Sequence, residues 1–386
     1  ATRGDRREDE RTMDLDRTPE QEMLAELVRG VCATYAPVDT VRALEDDPVG
    51  YPVELWKQLG ELDLIGLMLP TEYGGSGMSV LEGAVVYEEL GRALAPLPLF
   101  VSAAMSAGVL LRAGSEEQKQ TWLPQIASGA AIVSTAWLEP GGAYAPEGVQ
   151  LRARADGDAF VLDGTKWHVP FASSAHQLLV LARTDDGVDL FLVDSKAAGI
   201  TLTQQMTVAS DTQYAVDLAG VGVPAANRIG GAGSGWTTWN DTLLEGCILL
   251  AAQLIGGARY AFDITVQYAK DRHQFDKPLG AFQAIAHYLA DASATVEGGT
   301  VLVYEAAWSL ANGRSIQRLA PMAKLHAGRT FRDVTAMGQQ VFGGIGFTVE
   351  SEIQLYFRRA KQWQISWWDD RVLEELIASD RLDAPV

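Results

Sequence analysis

The chain holds only two cysteines in 386 residues, Cys32 and Cys247. Two thiols make no disulfide framework, so a reducing cytoplasm is the expected compartment. No uninterrupted apolar run reaches about 18 residues, which predicts no transmembrane helix, and the N-terminus lacks the apolar core of a signal peptide. Basic residues are outnumbered: 31 Lys and Arg against 50 Asp and Glu leave a formal charge of −19. That balance gives no electrostatic support for general binding to nucleic acid or an anionic membrane, although a polyanion still fits a local basic pocket. The five histidines (His168, His176, His273, His287 and His326) have no ligand-type partner at helical spacing, so no metal centre is expected. There is no Gly-x-x-x-x-Gly-Lys-Ser/Thr phosphate loop, and Gly230–Gly235 (GGAGSG) misses the dinucleotide-binding glycine spacing and reads as a flexible joint. What is present is ordinary for a globular enzyme, at 47% hydrophobic and 21% charged residues, in a chain long enough for two or three packed units.

The texture changes twice along the chain. Residues 1–12 carry four arginines, four acids and no large apolar residue, and are read as a disordered extension or an artefact of the start site, with Met13 an alternative start. Residues 13–125 are helical in pattern. Val53, Trp56, Leu59, Leu62 and Ile65 recur at three-residue steps as one apolar face. Helices are also expected over 80–93, 102–113 and 115–123, the last opening on Ser115-Glu116-Glu117. Residues 126–230 are β-rich. Alternation from Val149 to Ala155, a turn at Asp156-Gly157-Asp158 and a return at Phe160–Leu162 predict a hairpin, and Leu178–Ala182 with Val188–Val193 predict another. Long helices return over 231–386. One of them carries a stripe from Leu319 to Val341, with Pro321 in its first turn.

Six local signatures follow in order on this helix–strand–helix layout. They are Leu69-Pro70-Thr71-Glu72-Tyr73-Gly74-Gly75-Ser76-Gly77; Leu138-Glu139-Pro140-Gly141-Gly142; Gly164-Thr165-Lys166-Trp167; Val223–Gly230; Arg272-His273-Gln274-Phe275-Asp276-Lys277-Pro278-Leu279-Gly280-Ala281-Phe282-Gln283; and Gln340-Val341-Phe342-Gly343-Gly344-Ile345-Gly346-Phe347. Together they resemble the acyl-CoA dehydrogenase family over residues 13–380. The resemblance implies an α+β multidomain fold: an N-terminal helical domain, a central β-barrel-like domain and a C-terminal four-helix bundle, assembled as a tetramer. It implies non-covalent FAD and oxidation of an acyl-CoA thioester to its α,β-enoyl form. A base takes the α-proton while hydride passes to flavin N5, and electrons leave to an electron-transfer flavoprotein or another acceptor.

The same resemblance implies site residues. Arg272 would meet the FAD pyrophosphate of a neighbouring subunit, with Gln274, Phe275 and Gln283 beside it, a guanidinium fork suiting two phosphate oxygens. Taken alone, Arg272 reads equally as a surface arginine paired with an acid, and Phe275 as packing. Gln340, Gly343 and Gly344 resemble an adenosine-binding strip serving a partner subunit, and also suit a helix C-cap. Trp167 would lie on the flavin, or else in the β-domain core. Leu138 and Val169 occupy flavin-bonding positions where the family often has threonine, and Ala143-Tyr144 stand where it has Gly-Ser. The position of the usual catalytic glutamate holds Trp367, and the alternative position on the first bundle helix holds Gly246. A tryptophan cannot abstract a proton. Glu245, one residue and about 100° around the helix from Gly246, is the nearest substitute. It reads alternatively as a helix-start acid facing solvent. Asp369 and Asp370 are the remaining candidates. These features match a self-sufficient FAD-dependent acyl-CoA dehydrogenase using Glu245. They also match a base-deficient, FAD-holding subunit like those of actinobacterial heterotetramers acting on steroid side chains, or a flavin-dependent oxidase or hydroxylase. The Trp367-Trp368 pair implies a blocked pocket, an aromatic wall for a bulky substrate, or bundle packing.

Overall fold

Three helix starts in the N-terminal third are written by capping boxes. Thr18 with Gln21, Ser79 with Glu82, and Ser115 with Gln118 each satisfy reciprocal backbone donors. They open α1 (Pro19–Tyr35), α4 (Val80–Arg92) and α6 (Glu116–Ala127); between α1 and α4 lie α2 (Val38–Ala43) and α3 (Val53–Glu61), and before α6 a π-helical segment, Phe100–Ser106, runs into α5 (Ala107–Ala113). These elements come from a computed structural model that describes residues 13–382. The extension read over residues 1–12 lies outside the described residues. The expected apolar face over 53–65 is corrected. A step of three residues turns 300°, so four such steps drift around the helix instead of holding one face. The helix stops at Glu61, buries Leu55, Trp56 and Leu59, and leaves Val53 54% exposed.

The middle of the chain forms one sheet: β1 (Val133–Ala136), β2 (Arg152–Asp156), β3 (Ala159–Pro170), β4 (Gln177–Thr184), β5 (Gly187–Asp194), β6 (Ile200–Gln205), β7 (Gln213–Pro224) and β8 (Arg228–Ile229). The hydrogen-bonded order is β6-β7-β3-β2-β4-β5-β8, with β1 added parallel to β4. Both expected hairpins form. Asp156 pairs with Ala159 across Gly157-Asp158, and Thr184 with Gly187 across Asp185-Asp186. The central β3–β7 pair shifts register between Lys166 and Val169, which turns Trp167 and His168 out of the ladder.

Gly230–Gly235 is not a loose joint. The Gly233 amide donates to Asp189 Oδ1 at 2.7 Å, Ser234 bridges to Val188, and a Cβ on Gly235 would lie 2.6 Å from the Asp189 backbone. This fitted turn fastens the sheet to α7 (Gly235–Asp271). The small strands β9 (His273–Gln274) and β10 (Lys277–Pro278) follow, then α8 (Gln283–Ala311), α9 (Leu319–Phe342), α10 (Glu352–Ile365) and α11 (Asp370–Leu382). α7 packs against α8, α9 and α10 in a bundle and against α4 of the N-terminal domain. Backbones of α4 and α7 touch through two glycines. A Cβ on Gly91 would lie 1.9 Å from the Gln253 carbonyl oxygen, and one on Gly256 1.9 Å from that of Glu88. α7 is long and apolar enough to cross a membrane by length and composition alone, a helix the run criterion missed because Glu245, Gln253 and Arg259 interrupt it. Here it is the mostly buried core of the bundle.

Candidate active site

α10 ends at Ile365 because the chain turns into left-handed backbone: Trp367 has φ +61° and Trp368 φ +91°. Two successive indoles in that region are strained, and the surroundings hold them. The Lys324 ammonium, buried in α9, donates to the carbonyls of Trp368 (2.8 Å) and Gln364 (3.4 Å). Burial pushes its pKa down from 10.5 to about 8. Asp370 accepts from Arg329 Nε at 2.9 Å and from the Gln364 amide, and Asp369 accepts from the Val372 amide at the start of α11. Both acids are therefore engaged in fastening this corner. The Trp368 side chain is buried at 2% exposure. The Trp367 ring lies parallel to Trp137 (6.0 Å, 11°), edge-on to Phe100 (4.8 Å), and 6.3 Å from Trp239.

Trp367 stands where two cavities meet. The first, about 110 Å³, lies between the segment from Ala95 to Val101, the sheet at Pro170 and Gln213, and the bundle at Leu254, Arg359 and Trp363. The second, about 320 Å³, lies between Leu138, Tyr144 and His168 on the sheet side and Gln362 and Ile365 on α10. Pro170, Gln213, Ser366 and Trp367 line both. Tyr144 closes the second cavity's seam, its hydroxyl donating to the Ile365 carbonyl at 3.0 Å while its ring lies 5.5 Å from that of Trp137.

Glu245 does not reach these cavities. Its carboxylate is ion-paired with Arg112 of α5, and both side chains are partly solvated. Of the two neighbours it is Gly246 that faces inward, where a Cβ would lie 3.1 Å from Phe100. The one-residue offset thus turns Glu245 away, as the 100° rotation requires. Among the described residues, the only carboxylate lining the first cavity is Asp211, in a β6–β7 loop that carried no sequence signature. Its oxygens accept from Thr207 Oγ1 (2.6 Å), Gln213 Nε2 (3.0 Å) and the Gln362 amide. Two other missed residues tie motifs together. Lys166, fully buried, pairs with Glu139 at 2.6 Å, and Glu139 also accepts from the Gln150 and Leu151 amides. Ion pairing opposes the desolvation that lowers the lysine. The Leu-Glu-Pro and Gly-Thr-Lys-Trp signatures are therefore one structural unit, and only their adjacency in space reveals it.

At the outer end of the bundle, Arg272 caps α7, and β9 and β10 form a small hairpin whose tip, Phe275, is 86% exposed. Gln274, Gln283 and Gln340 are exposed, and the open backbone of Gly343 (φ +67°) and Gly344 has no atom within 4 Å of either Cβ position. The two strips are brought together by Tyr268 of α7, which stacks on Phe342 of α9 at 4.2 Å. Gly343 also ends α9, so its cap role and its open backbone coexist.

Three family models match in succession: the acyl-CoA dehydrogenase N-terminal domain over residues 18–130, the middle domain over 134–217 and the C-terminal domain over 233–379. The chain belongs to the acyl-CoA dehydrogenase family. It is 34% identical over 383 residues to the probable acyl-CoA dehydrogenase YngJ of Bacillus subtilis, covering 96% of this chain and all of that one. One chain of the ChsE4–ChsE5 complex of Mycobacterium tuberculosis matches with a TM-score of 0.89 at 28% identity, over 97% of this chain and all of that one. A variant of the Tcur3481–Tcur3483 steroid ACAD matches with a TM-score of 0.83 at 31% identity, over 94% and 98%.

The two halves of this acyl-CoA dehydrogenase-family chain fit an FAD differently. The outer strip fits the nucleotide end, offering a solvated guanidinium, three amide side chains and two unobstructed glycine backbones. The inner seam offers the flavin ring few free donors. Leu138 presents hydrocarbon, and Val169 is fully buried in β3 opposite Tyr214, off the cavity wall. The Trp167 amide already donates to the Leu138 carbonyl (2.9 Å) and the His168 amide to Gln205 Oε1 (2.9 Å). The Trp167 ring is 39% exposed, which removes the alternative of a sheet-core tryptophan.

Proposed function

We propose that this acyl-CoA dehydrogenase-family chain is a base-deficient subunit of a heteromeric, cytoplasmic enzyme. Its outer strip contributes to binding the nucleotide end of FAD, and a homologous partner supplies the carboxylate that takes the α-proton of an acyl-CoA. Arg272 would hold the pyrophosphate, with Gln274, Gln283 and Gln340 around it and the Gly343–Gly344 backbone approaching the adenosine. When bound, the flavin accepts hydride from the substrate β-carbon, and family membership favours an electron-transfer flavoprotein as the onward acceptor. Within this chain, Trp367, Phe100 and Trp137 exclude water from the space beside the first cavity.

The observation that carries the reading is the replacement of a base by a wall. Trp367 occupies the junction of the cavities, while Glu245, Asp369 and Asp370 are each engaged elsewhere. The resemblance to two solved structures named as pairs of chains supports a heteromer. Co-expression with a homologue that has glutamate at the position of Trp367 tests it. A stable hetero-oligomer that carries flavin and oxidises acyl-CoA is the expected result. A homomer that holds flavin and turns over unaided would overturn the proposal.

A further inference from the structure

The first cavity contains one group that neither packing nor the reading above uses. Arg359 on α10 lines it and is 2% exposed. Its Nε is shielded from solvent and has no hydrogen-bond partner among the described residues. The neighbouring Arg358 is satisfied by contrast, donating to Gln354 Oε1 at 2.9 Å and pairing with Glu45. Asp211, on the same cavity wall, commits its oxygens to Thr207, Gln213 and Gln362. A buried guanidinium stays protonated and has only donors to offer. Left unsatisfied it destabilises the fold, so an acceptor reaching it from the cavity gains an unusually strong contact. The rest of the wall is largely apolar, with Phe100, Phe171, Leu254, Trp363 and Trp367.

We propose that Arg359 is a specificity-determining residue that binds an acceptor oxygen, a carboxylate or a ketone, on the body of the acyl group. The substrate class is then an oxygenated acyl-CoA with an otherwise apolar acyl part. This adds to the function proposed above that the acyl group enters the first cavity of this chain.

The test uses the full chain in its purified assembly and three CoA thioesters whose β-carbon is replaced by sulfur, so that no hydride is available. The probes are 3-thiahexanoyl-CoA and two counterparts of similar length, one ending in a carboxylate and one carrying a methyl ketone. Affinities are read by calorimetry. At least one oxygenated probe should bind tenfold or more tightly than the plain one. If both do, the shared acceptor oxygen suffices; if only the acid does, its charge is required. Arg359→Met should abolish the preference while leaving the plain probe within threefold. Arg359→Gln, a neutral donor, serves if the methionine variant fails to fold. Equal affinity for all three probes in the unmodified protein overturns the inference, as does an equal loss for all three in the variant. Binding of none of them overturns the acyl-cavity reading itself.

Discussion

The inner seam and the outer strip of this chain are built on opposite principles. In the seam, Trp137, Trp239, Trp367 and Trp368 fill space, and the backbone amides of Trp167 and His168 are already bonded within the chain. On the strip, Arg272, Gln274, Gln340 and the Gly343–Gly344 backbone point their polar groups outward. One region is largely filled by its own side chains, with Arg359 Nε and Trp239 Nε1 left unpaired among the described residues, and the other presents its polar groups to solvent. On the function proposed above, a chain organised this way serves a neighbour's site better than its own.

The contrast breaks most readily in the seam. Trp368→Ala removes a buried indole and should cost about 3–5 kcal/mol of unfolding free energy, measured by denaturant titration. A loss below about 1 kcal/mol would mean the indole is not core. Next in size is the pH dependence at Lys324, whose pKa falls from 10.5 to about 8 in the fold. Between these values the unfolded chain keeps a proton that the folded chain has shed, so stability rises with pH from about 8 towards 10.5. The gain reaches up to about 3 kcal/mol. Lys324→Met should remove its share of that rise between about pH 8 and 9, before unfolded cysteines and tyrosines ionise, with Lys166, also lowered by burial, supplying the rest. An unchanged slope would place the titration elsewhere.

On the strip, Arg272→Ala should lower the flavin-to-protein ratio of the co-expressed assembly tenfold or more, with little change in melting temperature. Charge-assisted bonds to phosphate of about 1.5–3 kcal/mol each set that scale. Retained flavin would sever the strip from the cofactor. The smallest effect belongs to Glu245→Gln. Its half-solvated pair with Arg112 predicts at most about 1 kcal/mol of stability and no change in α-proton exchange of an acyl-CoA by the assembly. Lost exchange would restore Glu245 as the base.

Short-range features of this fold were legible in the sequence. Asp-Gly turns marked the hairpins, Ser115 marked α6, and the order of six signatures marked the architecture. Long-range features were not. The parallel pairing of β1 with β4, the Lys166–Glu139 pair and the Tyr144–Ile365 bond join residues remote in sequence, and no local pattern encodes them. The drift of a three-residue repeat misplaced Val53, and a glycine run that looked loose proved to be a close backbone contact at Asp189. At the site, the family resemblance puts Trp367 and Gly246 at the usual base positions. Only geometry showed Glu245 turned to Arg112, and Asp211 and Arg359 on the cavity wall.

The central claim is that this chain lacks its own proton acceptor. Anaerobic titration with a panel of acyl-CoAs, following the visible band of oxidised flavin, tests it most directly when run on the chain alone and again on the assembly with a glutamate-bearing homologue. The account predicts no bleaching by the chain alone and bleaching by the assembly. Bleaching by the chain alone would contradict it.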